Sequence, residues 1–145
     1  MNVLVIEGPN INMLGIREKS TYGAMSMDEI HTMLKDHAGS TGVTLSFFQS
    51  NSEGDIITTI QKAHGTVDYI IINPAAYTHT SVGIRDALLA VNIPAVEVHL
   101  SNIFKRETFR HHSFISDIAV GVVSGFGSEG YRMALDFIIA QGRKK

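Results

Sequence analysis

Short β-branched apolar runs alternate along this chain with segments of helical period. Residues 2–6 (NVLVI) form the first run, apolar on both sides as a strand covered on both faces should be. Ser26-Met-Asp-Glu29 then reads as a capping box, opening a helix to about Ala38 with Ile30, Met33 and Leu34 on one face. Gly39 and Gly42 end it, and residues 43–49 form a second strand. Ser52 caps a helix running to about His64, and residues 67–72 make a third strand stopping at Asn73-Pro74. Thr80 or Ser81 caps a helix to about Val91, followed by strands over 95–98 and 118–124 and a closing helix over 131–140. Five strands separated by helices predict a parallel sheet covered on both faces. Right-handed crossovers leave few topologies, and the expected one is a flavodoxin-like three-layer α/β fold of order 2-1-3-4-5.

Composition narrows this picture. At 145 residues the expectation is a single domain over 1–145, able to bury roughly two thirds of its unfolded surface. The absence of cysteine excludes disulfides, thiolate catalysis and Cys-ligated zinc. A balance of 12 basic and 14 acidic residues leaves no electrostatic footprint for nucleic acid. No apolar run approaches the ~20 residues of a membrane span, and Met1 leads directly into a strand pattern. The expectation is a soluble, cytoplasmic protein.

Candidate chemistry gathers where strands end. Ligands in such a sheet bind outside the carboxyl ends of the strands, and there the chain places Asn10, Gln49, Asn51, Asn73 and His99. The connection Gly8–Gly23 is sixteen residues long, where two to six is usual, and long connections are often lids. It carries Arg17 and Tyr22. A guanidinium beside a phenol favours the phenolate and makes it a usable base; the plainer alternative is a solvated Arg17 and a loop-anchoring Tyr22. Glu97 and His99 lean to one side of their strand, as an acid orienting a general acid or base would, or as a satisfied structural histidine would. Ser101-Asn102 before 103–109 could open a helical turn whose N–H groups receive an anion. Arg106 and Arg110 share a face if that segment is helical, and a solvated charge face is the usual reading of such a pair. His31, His37 and His64 read as solvated. A zinc site lacks any recognised ligand spacing. Gly125–Gly130 matches G-x-G-x-x-G but sits in the last βα unit, so its glycines are expected to serve a tight turn and close helix–sheet packing.

Taken together, several segments resemble one family, the type II 3-dehydroquinate dehydratases. They are Gly8–Gly15, Arg17-Glu18 with Tyr22-Gly23, Gln49–Gly54, Asn73–Ser81, Glu97–Asn102, Arg106–Ser113 and Gly130-Tyr131. Glu7 stands where the family usually has Asn, and Lys19-Ser20-Thr21 replaces its usual Pro-Glu-Ile. The resemblance implies dehydration of 3-dehydroquinate through an enolate, in the shikimate pathway or in quinate breakdown, with no metal, cofactor or Schiff base. It implies Tyr22 as base supported by Arg17, Asn10 at the enolate, and His99 as acid with Glu97 holding its ring. Asn73, Leu100, Ser101, His79 and Arg110 would bind substrate, and Asp86 would reach a neighbouring subunit's site in a dodecamer of trimers. The rival readings are a nucleotide- or flavin-binding module using Gly125–Gly130 and a Schiff-base dehydratase using Lys105.

Overall fold

In a computed structural model, which describes residues 1–16 and 18–145, the sheet has five parallel strands in the order β2-β1-β3-β4-β5. They are β1 (Asn2–Glu7), β2 (Thr44–Gln49), β3 (Tyr69–Asn73), β4 (Ala95–His99) and β5 (Gly121–Ser124). The helices are a short α1 (Lys19–Tyr22), then α2 (Met27–Ala38), α3 (Glu53–Lys62), α4 (Val82–Val91) and α5 (Glu129–Arg143). Side-chain alternation along the strands divides the core into two layers. Val3, Val5, Ile71, Val96 and Val98 pack against Ile30 and Leu34 of α2 and Leu135 and Ile138 of α5. Leu4, Ile6, Ile70 and Ile72 face Ile56 and Ile60 of α3 and Ile84 and Leu88 of α4. Both faces are covered, which is why the central strands lack a polar side.

Three helices begin where the caps predict. Ser26 Oγ accepts from the Glu29 N–H, Ser52 Oγ from Asp55 and Ser81 Oγ from Ile84, at 2.9–3.2 Å. Ser81, not Thr80, is therefore the cap of α4. At its other end, Asn92 adopts a left-handed conformation (φ 53°) that stops the helix before Pro94. One strand starts later than expected, and one segment is helical only in part. Strand β5 starts at Gly121 instead of Ile118, because Ile118 and Ala119 turn back to bond the Ile115 carbonyl. Asn102 does open a helical turn, its Oδ1 accepting from the Phe104 N–H at 3.1 Å, but the segment is not one helix carrying Arg106 and Arg110 on a shared face: two 3₁₀ turns, Ile103–Lys105 and Thr108–Arg110, flank an extended Arg106. The long connection after β1 contains a 3₁₀ turn at Ile11–Met13 and the short α1.

Gly125–Gly130 behaves as packing and turn. A Cβ on Gly125 (φ 101°) would come within 2.9 Å of Asn102 Cβ, and one on Gly130 within 3.4 Å of Val123 and Val98.

Candidate active site

The carboxyl ends of β1 and β3 are drawn together by backbone contacts that leave little slack. The Gly8 N–H donates to the Asn73 carbonyl at 2.8 Å, and Gly8 lies so close to Pro74 that a Cβ would sit 2.3 Å from the Pro74 oxygen. Only glycine fits this crossing. Beyond it, Asn10 takes a left-handed conformation (φ 69°), its N–H held by Asn51 Oδ1 at 3.0 Å. Asn51 belongs to the loop after β2, and its carbonyl also accepts from Tyr77 Oη at 2.6 Å. The ends of β1, β2 and β3 thus converge on one place.

At the end of β4, the alternation predicted from Glu97-Val98-His99 holds. Val98 enters the α2/α5 side of the core, while His99 Nε2 bonds Glu97 Oε2. Both side chains are buried. Glu97 is further bound by Ser116 Oγ at 2.7 Å, Thr78 Oγ1 at 2.9 Å and Ser113 Oγ at 3.0 Å. Burial alone would raise the Glu97 pKa, but the His99 ring and the hydroxyls outweigh it and hold the carboxyl below its usual range. An ionised carboxylate accepts only, so each neighbouring hydroxyl points its proton at it. With Nε2 spent on Glu97, Nδ1 is the ring nitrogen left for proton exchange.

His99 opens onto a cleft whose lining includes Asn10, Tyr22, Asn73, His79, Leu100 and Ser101, together with Arg106 and Arg110. The His79 and His99 rings lie 6.5 Å apart and nearly parallel. Burial, with the nearby His99 and Arg110 charges, lowers the His79 pKa below 6.5, against the opposite pull of the His112 carbonyl that Nδ1 contacts at 2.8 Å. A phenol, two imidazoles, two guanidiniums and side-chain amides around one cleft suit proton transfer on an anionic substrate. Over the sequence as a whole, the family model described as dehydroquinase class II matches residues 1–139. The chain belongs to the class II dehydroquinase family.

Relatives among these hydro-lyases are close over almost the whole chain. The 3-dehydroquinate dehydratase of Legionella pneumophila (strain Corby) is 57% identical over 140 residues, 96% of this chain and 97% of its own. That of Proteus mirabilis (strain HI4320) is 56% identical, covering 92% and 91% of the two chains. The crystal structure of type II dehydroquinase from Butyrivibrio crossotus superimposes with a TM-score of 0.92 at 46% identity, over 94% of this chain and 96% of that one.

Of the residues singled out in the sequence of this class II dehydroquinase, eight side chains behave as a set. Asn10, Tyr22, Asn73, His79, His99, Leu100, Ser101 and Arg110 all line the cleft, with Glu97 buried behind His99. Asp86 is exposed on α4 and takes no part in that lining, and Arg17 lies outside the described residues. Lys105 also stays outside the cleft lining.

Sequence reasoning undervalued three things. Arg106 is no solvated charge: its guanidinium carbon stands 5.2 Å from the Tyr22 ring centroid, and its Nη1 reaches Ser101 Oγ at 3.4 Å. The break between the two 3₁₀ turns delivers it to the cleft, and no periodicity in the sequence announces that break. Thr78, Ser113 and Ser116 converge on Glu97 from segments distant in sequence, so only the fold reveals them. His31 was expected in solvent, yet it bonds the buried Glu7 and stacks on Phe47 with centroids 4.1 Å apart. His37 is half-buried against Asp136 at 2.6 Å, while His64 is exposed as expected.

Proposed function

We propose that this protein catalyses the reversible dehydration of 3-dehydroquinate to 3-dehydroshikimate by anti elimination through an enolate. The observation that carries this reading is one cleft lined by both a phenol, Tyr22, and a carboxylate-held imidazole, His99. Removing a proton α to a ketone requires a positioned base and a donor to the developing oxyanion, and loss of hydroxide requires an acid. Tyr22 takes the C2 proton, with Arg17 the cation assigned to it by the resemblance and Arg106 packed on its ring. Asn10 steadies the enolate oxygen through a water. His99 delivers a proton to the departing C1 hydroxyl, which leaves as water, while Glu97 fixes the imidazole. Asn73, Leu100 and Ser101 hold the substrate, and His79 and Arg110 engage its hydroxyls and carboxylate.

The elimination as written needs no metal, cofactor or Schiff base. The whole of residues 1–145 acts as one catalytic domain in the cytoplasm, in aromatic biosynthesis or quinate breakdown. It works as a homo-oligomer, a dodecamer of trimers in which Asp86 of one subunit approaches the site of another. Exposed Val82 and Leu89 on α4, with Val120 before β5, are apolar surface suited to such contacts.

Purified protein given 3-dehydroquinate in the presence of chelator should generate the ultraviolet absorbance of a conjugated enone, and borohydride should leave the rate unchanged. A folded protein that produces no enone would contradict the reading; inactivation by borohydride with substrate present would move the chemistry to Lys105.

A further inference from the structure

Behind the cleft, on the α2/α5 side of the sheet, lies a buried polar chain that the elimination itself does not use. Glu7 ends β1 with no exposed surface, and its Oε1 bonds His31 Nε2 of α2. Its Oε2 accepts from Tyr131 Oη of α5 at 3.4 Å, and Tyr131 is fully buried. The Tyr131 oxygen in turn accepts from Asn73 Nδ2 at 2.9 Å, and Asn73 Oδ1 accepts from the Ala75 N–H at 3.1 Å. Of the four side chains Glu7, His31, Tyr131 and Asn73, that of Asn73 belongs to a residue lining the cleft.

The polarity of the chain follows from its first member. A carboxylate only accepts, so the Tyr131 hydroxyl must give its single proton to Glu7. Its lone pairs then face Asn73, which has to present Nδ2 and not Oδ1. Burial and the Glu7 charge push the Tyr131 phenol well above its usual pKa of 10.0, so the proton is present throughout the neutral range. A flipped Asn73 amide would set Nδ2 against the Ala75 N–H and Oδ1 against an oxygen whose proton is already committed. One orientation is therefore selected, and it leaves the second Nδ2 proton as the donor available to the cleft.

We propose that Glu7, His31 and Tyr131 are positioning residues for Asn73: a buried hydrogen-bond chain from α2 through β1 and α5 fixes the orientation of its amide and so the donor it offers the substrate. The inference rests on the reading of Asn73 as a substrate-holding residue. It assigns a use to the acid at position 7 and to a histidine whose helical position suggested solvent. Such residues act on binding through Asn73 and touch no reacting atom.

The test is a set of variants assayed with 3-dehydroquinate and crystallised without it. Tyr131→Phe removes one oxygen from the chain and should raise KM about tenfold with kcat within about threefold of wild type. In an Asn73→Ala background the same change should alter KM less than about twofold, because its target is gone. Glu7→Gln can still accept from Tyr131 and should hold KM within about threefold, whereas Glu7→Leu should repeat the tenfold rise. A fall in kcat at unchanged KM, or the same penalty with and without Asn73, would overturn the proposal. The unliganded Tyr131→Phe crystal structure decides the matter even for a protein that turns nothing over. An Asn73 amide rotated or split between two orientations supports the chain. An amide unmoved on the Ala75 N–H overturns it. Wild-type protein lacking dehydratase activity would defeat the proposed function while leaving that structural result to judge the chain alone.

Discussion

A buried carboxylate ringed by His99, Thr78, Ser113 and Ser116 is an expensive thing to build, and its partners account for its survival. Glu97→Gln keeps the shape but turns one acceptor into a donor amid hydroxyls already pointing inward. We expect kcat to fall roughly 10²-fold with KM little changed, since the imidazole loses its orienting charge. The sign of its pH dependence follows from a folded pKa lowered from 4.5: the stabilisation from Glu97 is present above that value and is lost as pH falls through the folded one. The gap in Tm between wild type and Glu97→Gln should therefore narrow below pH 4.5; a gap that widens on acidification would refute the assignment. Across the cleft, Tyr22→Phe should lower kcat roughly 10²- to 10⁴-fold while substrate still binds, as calorimetry with the inert variant would register. Tyr22, His99 and their neighbours were legible because each falls at a strand end or on an overlong connection. Arg106 was not, since its placement depends on a break between two short turns.

Secondary-structure elements were mostly written in local chemistry. The three serine caps and the apolar periods located α2, α3 and α4, whereas the start of β5 differs because Ile118 and Ala119 have strand composition but a turn's hydrogen bonds, and contact with β4 begins only where the Val120 N–H meets the Ala95 carbonyl. Tertiary contact, not propensity, decided that boundary. Two glycines show the same division. Gly8 meets the Pro74 backbone, which cannot yield, so Gly8→Ala should destabilise the protein by about 2 kcal/mol or more and disturb Asn10 and Asn73 together. Gly130 meets only the methyls of Val123 and Val98, and α5 gains helix propensity from alanine, so Gly130→Ala should change stability by less than about 1 kcal/mol. Urea unfolding of the two variants in parallel separates the cases. Equal losses would mean that the crossing of β1 and β3 ends is not the constraint described.

At the scale of the molecule, the sheet reverses its strand order between β1 and β3, and the cleft opens beside that reversal. Strand order and the position of the site were therefore readable together, from five apolar runs and the right-handed crossover rule. Contacts across the layers were not: Glu7 and Tyr131 lie at opposite ends of the chain and meet because β1 is an interior strand beside β3 and α5 returns over β3. The proposed assembly makes its own claim at this scale. Light scattering at micromolar concentration should give a mass many times the 15.8 kDa of one chain, and a monomer would contradict it. The central claim, that Tyr22 and His99 carry out an anti elimination, is tested most directly with 3-dehydroquinate stereospecifically deuterated at C2. Mass spectrometry of the enone should find the label lost when it starts anti to the C1 hydroxyl and kept when it starts syn; loss of the syn label would contradict the account.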